Sequence, residues 1–192
     1  MAINLKSTNT VSASNLKLLV YGQAGAGKTS LIPTLPKPVI LSAEGGLLSI
    51  SGHDIPFIEV TSMDALREAY AWLLDSDEAK QFDSVAEIAE VCLSKEKSIA
   101  KDPRQAYGEM QTTMAELIRS FRDLPKHVMM TAKLEKAQDE MGRMMYSPSM
   151  PGNKTGQSLP YFFDLMLALR VEKDDEGVSQ RGLMCDSDGL WQ

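Results

Sequence analysis

The apolar run Leu16–Tyr21, LKLLVY, passes directly into Gly22–Ser30, GQAGAGKTS. A short apolar run that meets a glycine loop reads as a buried parallel strand, and a parallel strand requires a crossover connection, usually a helix. The loop fits G-x-x-x-x-G-K-[ST], with Gly22, Gly27, Lys28 and Thr29 in the four defined positions. Strand, glycine loop and helix in that order restrict the chain to an α/β plan with an anion held at a strand end. Glycines permit conformations and close approaches that a side chain blocks, so the amides of Gln23, Ala24, Gly25 and Ala26 can surround phosphate oxygens. Lys28 is expected to reach the β- and γ-phosphates, Thr29 to help hold Mg²⁺, and Ser30 to stand in the first turn of the helix.

The chain has 192 residues, enough for one sizeable core, and we expect one domain over residues 1–192 with a polar lead-in at 1–14. No apolar run approaches the roughly 18 residues of a membrane helix, so no membrane partner is expected. The start lacks the basic and apolar segments of a secretory signal. Cys92 and Cys185 are far apart and outside any C-x-x-C pair, which suggests neither a disulfide framework nor a zinc site. A reducing cytoplasm is the expected compartment. His53 and His127 are isolated and read as surface or core residues. The formal net charge of −6 argues against nucleic-acid binding through bulk positive charge, while leaving room for a local basic groove.

Further along, Pro33 and Pro36 limit the helix after the loop to about two turns. PVILSAEGG predicts a second strand with Glu44 at its end, and Phe57–Val60 a third. Thr61–Asp64 resembles a capping box ahead of a helix whose buried face is Met63, Leu66, Tyr70, Leu73 and Leu74. Residues 82–102 read as mostly helical where an α/β plan wants a central strand. Tyr107, Met110, Met114, Leu117, Phe121 and Leu124 form the stripe of a long amphipathic helix closed by Pro125. His127–Ala132 is a strand. The segment at 134–158, rich in Gly, Pro, Ser and Met, reads as a long loop. Leu165–Glu172 resumes a strand, and KDDEG followed by RGLMC predicts a C-terminal antiparallel hairpin.

Taken alone, Glu44 is better explained by a turn before Gly45-Gly46 than by chemistry. A carboxylate at the end of a neighbouring strand would nonetheless point into the crevice of the glycine loop. In the long segment, Lys136, Arg143 and Lys154 could meet phosphates and Tyr146 could stack on a base, the usual combination for single strands. Glu135, Asp139 and Glu140 offset those charges, and Met141, Met144, Met145 and Met150 could equally pack against another subunit.

GQAGAGKT, LSAEGG, AELIRSFRDLPKHVMMTAK and the segment DEMGRMMYSPSMPGNKTGQSLPYFFDLMLALRVE, in this order, resemble the RecA-like ATPase core. They look closest to the small phage nucleotide-binding proteins classed as single-strand annealing recombinases. The resemblance implies a mostly parallel central sheet with helices on both faces and an antiparallel C-terminal hairpin. It implies ATP and Mg²⁺ as cofactors, Glu44 as the residue that activates water, and Thr131 and Lys133 as a sensor of the γ-phosphate. It makes Lys136–Ser158 a DNA-binding loop containing Lys136, Arg143, Tyr146 and Lys154, with a first such loop near Leu93–Gly108. The implied activity is DNA-stimulated ATP hydrolysis. The implied partners are single-stranded DNA, further copies in a filament or ring, and a single-strand-binding protein.

One part of the pattern is absent. RecA-like cores carry an apolar strand ending in Asp, whereas FDSVAEIAEV runs from the start of such a strand into a helix, with Asp83 too early and Glu87 too late. We expect about half a dozen residues, one ordinary strand, to be missing between Ala86 and Glu87. We also expect a short piece beyond the abrupt Leu190-Trp191-Gln192. Alternatives are an assembly protein that binds nucleotide without turnover and a small kinase. A GTPase is disfavoured because DEMG follows TAKLE in reversed order.

Overall fold

A computed structural model describes residues 15–43, 45–86, 103–139, 141–149 and 159–186. Among these lie β1 (Lys17–Gly22), β2 (Pro38–Ser42), β3 (Phe57–Glu59), α1 (Met63–Asp75), β4 (Ser84–Ala86), α2 (Pro103–Arg122), β5 (His127–Gln138), β6 (Met144–Pro148), β7 (Leu165–Lys173) and β8 (Ser179–Met184). The sheet order is β3-β2-β4-β5-β1-β7-β8, with β6 paired to β5 outside that path. Pairs from β3 through β7 are parallel; β7 with β8 and β5 with β6 are antiparallel. This is the α/β architecture the sequence implies, including its C-terminal hairpin.

Alternation along the strands divides the core into two layers. Leu19, Tyr21, Val39, Leu41, Val85, Val128 and Met130 face one side, where α1 contributes Met63, Leu66 and Leu73, and α2 contributes Leu117, Ile118 and Phe121. Tyr70 meets the Phe121 ring edge-on at 5.2 Å. Val20, Ile40, Ala86, Met129 and Leu169 face the other side against Ala26, Ile32 and Ile50. Among the described residues that second cover consists of two 3₁₀ segments, Thr29–Thr34 and Gly46–His53. Pro33 lies inside the first of them, in keeping with the short helix expected there. The cap of α1 is Ser62, one residue later than Thr61; its Oγ accepts from Ala65 N at 3.1 Å, and with alanine at that third position the expected capping box is reduced to a single cap. Leu74, expected on the buried face, is 45% exposed.

β4 is only three residues long, and all three are buried. It still pairs with β2 through Pro38–Ile40 and with β5 through His127–Met129. A continuous sheet therefore does not require residues missing after Ala86, and the ground for expecting them is removed. The Ala86–Glu87 link, the predicted helix at 87–102, the loop near Leu93–Gly108 over 93–102 and the chain end lie outside the described residues. Two lysines are buried at the opposite, amino end of the strands. Lys17 Nζ donates to Leu124 O at 2.7 Å and to Lys126 O. Lys126 Nζ donates to Ala79 O at 2.9 Å and Phe82 O at 2.6 Å. Burial lowers the pKa of both ammonium groups. Among the described residues no helix is long and apolar enough to cross a membrane.

The expectation of a loop over 134–158 is corrected at its start. β5 continues to Gln138, and Leu134–Gln138 pair antiparallel with Met144–Pro148. The reason is the turn. Asp139 N donates to Arg143 O at 3.0 Å, Gly142 N to Asp139 O at 2.9 Å, and Arg143 N to Asp139 Oδ1 at 2.8 Å. Gly142 takes φ 77°, a conformation natural to glycine. The β7–β8 turn repeats this arrangement: Asp174 N to Val178 O at 3.0 Å, Gly177 N to Asp174 O at 2.9 Å, and Val178 N to Asp174 Oδ1 at 2.8 Å. D-x-x-G closes both hairpins.

Both turn aspartates have lowered pKa values. For Asp139 the main cause is donation from the Arg143 amide, and for Asp174 it is donation from the Gln180 side chain. A depressed folded-state pKa contributes stability that is present above the unfolded value of about 3.9 and is lost as pH falls through the folded value. Acidification below about pH 4 is therefore expected to loosen both hairpin tips together while the parallel strands persist. Amide chemical shifts of Arg143 and Val178, followed through an acid titration, check this. The Asp139→Asn and Asp174→Asn variants should each remove the acid response of their own tip.

Candidate phosphate-binding site

β1 is hydrogen-bonded along both edges, to β5 and to β7, and it stops at Gly22. Its neighbours continue to Gln138 and Lys173, so the loop after Gly22 emerges between two longer strands. The position is the carboxyl end of a central parallel strand, where open α/β sheets bind their ligands. Gly22 is demanded by packing. A Cβ there would lie 2.5 Å from Leu169 O, in the backbone of the adjoining strand. Gly25 and Gly27 are demanded by conformation, with φ 74° and 103°.

Within the loop, Ala26 N donates to Gln23 O at 3.2 Å and Ser30 N to Gly27 O at 3.1 Å. Ala26 is buried in the second core layer, which fixes the loop to the sheet, while Gln23, Ala24 and Gly25 are exposed. Lys28 Nζ lies over the loop and donates to Gly22 O at 3.0 Å and Gln23 O at 3.1 Å. Its ammonium is thus folded back onto the carbonyls at the start of the loop. Thr29 and Ser30 begin the 3₁₀ segment.

Register brings the two expected sensor residues alongside. Thr131 pairs with Val20 and Lys133 with Gly22. Both alternate in phase with Met129, on the side of the sheet that carries the loop. Glu44 lies outside the described residues, as does Lys154. Two residues before Glu44 in the chain, Ser42 ends β2, and among the described residues its buried Oγ has no hydrogen-bond partner. It lies in phase with Ile40, on the loop side of the sheet. An unmatched buried hydroxyl costs about 1–3 kcal/mol and is accounted for where a ligand or water completes it.

A crevice of about 160 Å³ opens beside the loop between Gln23, Ala26, Lys136, Tyr146, Val171 and Glu172. Lys136 and Tyr146 are a cross-strand pair of the β5–β6 hairpin, with Nζ 5.7 Å from the ring centroid. Of the residues expected to contact DNA, these two come together at the loop. Arg143 lies in the turn, its guanidinium 2.7 Å from Asp139 Oδ2. A larger cavity, about 350 Å³, lies at the amino ends of the strands among Lys37, His53, Asp54 and Phe82. It is remote from the glycine loop, and the smaller crevice, which the loop itself borders, is the better phosphate site.

The residues present fit a nucleoside triphosphate with Mg²⁺. The glycines leave space, Lys28 supplies charge, and Thr29 would offer a hydroxyl to the ion. Among the described residues no cluster of His, Cys, Asp or Glu could hold a metal ion unaided. Sequence reasoning missed Ser42 and the backbone of Leu169. The first is visible only as a hidden orphan, and the second only through strand register.

A family model described as AAA domain, AAA_24, matches residues 14–191. No curated protein matches the chain. Among solved structures, a KaiC-like protein from the hyperthermophilic archaeon Pyrococcus horikoshii OT3 is similar, at 12% identity and a TM-score of 0.48. That alignment covers 88% of this chain and 77% of the other.

The two kinds of glycine constraint separate experimentally. Gly22→Ala must displace backbone of β7 and is expected to destabilise the protein by about 3 kcal/mol, the upper range for overpacking. Gly25→Ala meets no atom within 4 Å and carries only the left-handed strain, about 1 kcal/mol. Urea unfolding midpoints at unchanged slope measure both.

Proposed function

Since the chain belongs to the AAA domain family and has a RecA-like P-loop core, we propose that it binds and hydrolyses ATP and uses that cycle to control its hold on single-stranded DNA. The observation that carries the reading is the loop Gly22–Ser30 at the carboxyl end of β1, with left-handed Gly25 and Gly27 and the Lys28 ammonium bonded to the carbonyls of Gly22 and Gln23. The biological role we infer is strand annealing or pairing of the phage recombination type, in an assembly of several copies working with a single-strand-binding protein in the cytoplasm of a bacterial host. Met141, 83% exposed at the β5–β6 tip, suits contact with another copy.

When bound, ATP would supply the phosphoryl group and Mg²⁺ would offset the negative charge of its phosphates. The loop amides and Lys28 bind and orient the β- and γ-phosphates. Thr29 presents its hydroxyl on the metal side. Glu44 orients the attacking water and accepts its proton. Thr131 and Lys133 connect that centre to β5, which continues as the hairpin carrying Lys136 and Tyr146. From Lys133 beside Gly22 to Lys136 is three residues of strand, about 10 Å at about 3.3 Å per residue. A change at the γ-phosphate is thereby transmitted along one rigid element to a cation and an aromatic ring. Those two groups bind single strands by contacting phosphate and stacking on a base.

Assembly on nucleotide without turnover is the second reading, favoured by the brevity of β4 and by a sequence, FDSVAEIAEV, that places no Asp after its apolar residues. Turnover measured with and without single-stranded DNA separates the two. We expect DNA to raise the rate. Lys28→Ala should lower it by roughly 100-fold or more, and Glu44→Gln should abolish it while keeping ATP binding. A rate indifferent to DNA contradicts the recombination reading, and saturable binding without turnover supports assembly alone.

The hairpin generates a separate expectation. Lys136→Ala and Tyr146→Ala should each weaken single-stranded DNA binding by roughly tenfold, in line with about 1–3 kcal/mol per stacked base. Only the lysine variant should flatten the salt dependence. Fluorescence anisotropy of a labelled oligonucleotide across salt concentrations checks both.

A further inference from the structure

The β7–β8 hairpin brings a second cation to the phosphate loop. Arg181 on β8 pairs with Val171 on β7, and cross-strand partners share a face. Val171 is in phase with Leu169, which packs in the same core layer as Ala26. Arg181 therefore lies on the side of the sheet that carries the loop. Its side chain crosses to Gly27: a Cβ built there would lie 3.4 Å from Arg181 Nε, 3.6 Å from Cδ and 4.0 Å from Cζ. Among the described residues this guanidinium has no hydrogen bond or ion pair. The hairpin's other arginine, Arg170, is engaged by Glu172 and by Met184 Sδ.

We propose that Arg181 clamps the α- and β-phosphates of the bound nucleotide, closing from β8 the cradle that the loop forms from β1. The proposal rests on the nucleotide reading above. In a loop of this pattern the backbone amides, including those near Gly27, hold the α- and β-phosphates. A guanidinium packed against Gly27 is within reach of the same oxygens, and its planar fork matches two of them at once. Lys28 approaches from the Gly22–Gln23 side and Arg181 from the edge of the sheet, so the phosphates meet cations from two directions. Because β7 is hydrogen-bonded to β1, the clamp and the loop are held at a fixed separation by strand pairing. The contact is made in cis, by the chain that carries the loop.

Equilibrium titrations of ADP and ATP with Mg²⁺, by calorimetry, test this on wild type, Arg181→Ala and Arg181→Lys. Arg181→Ala is expected to weaken ADP and ATP by the same factor, about 10- to 100-fold, the loss of a charge-assisted contact. Arg181→Lys should restore part of that, since charge returns without the fork. Thermal unfolding without nucleotide should be unchanged because Arg181 is exposed. Should the alanine variant unfold, Arg181→Gln supplies the same comparison. ADP affinity within twofold of wild type in a folded variant overturns the clamp. Loss of ATP affinity alone also overturns it, placing the arginine at the γ-phosphate. Failure of the wild type to bind either nucleotide overturns the nucleotide reading itself.

Discussion

The end of β1 governs the rest of the molecule. A strand paired on both edges stops at Gly22 while both partners run on, and its last residue fits only because it has no side chain to meet Leu169 O. Three consequences follow from that termination. The loop is forced out between two walls of backbone, the walls carry the side chains that line the crevice, and the sheet stays continuous beneath. Had β1 been an edge strand, a loop of the same sequence would face solvent on one side and meet far fewer partners. The phosphate loop is thus a property of the sheet as much as of its own residues.

The two core layers serve this placement differently. Long helices with large apolar stripes cover the face away from the loop, and Phe121, Leu66 and Ile118 are fully buried there. The loop face is covered by short 3₁₀ segments that leave the crevice open. Ala26 and Ile32 fasten the loop to the sheet beneath it, so exposed Gln23 to Gly25 sit on a packed floor. Stability and access to phosphate are divided between the faces.

Much of this was legible in the sequence. The strand before the loop, the glycine spacing, the short helix stopped by proline and the C-terminal hairpin all follow from local rules that need only neighbouring residues. The β5–β6 hairpin was hidden, although its turn carries the signal that revealed β7–β8. In KDDEG that signal sits between runs that read as strands. In QDEMGR it is followed by Met144–Pro148, whose methionines and proline read as loop, and pairing with β5 overrides that local character. β4 was obscured for a related reason. Three residues cannot display a period, and only burial between β2 and β5 makes them a strand. Arg181 and Ser42 depend on register between distant segments, which no single stretch encodes.

The buried lysines at the amino ends of the strands have a mechanical consequence. Lys17 ties the start of β1 to the turn before β5, and Lys126 ties that turn to the approach to β4. Each tether ends on backbone carbonyls, so sliding any of these three strands past another would strand a cation away from water. That end of the sheet behaves as a clamped base. Deformation at the phosphate loop cannot relax into it and is directed outward along β5 and β6, as in a stiff beam fixed at one end.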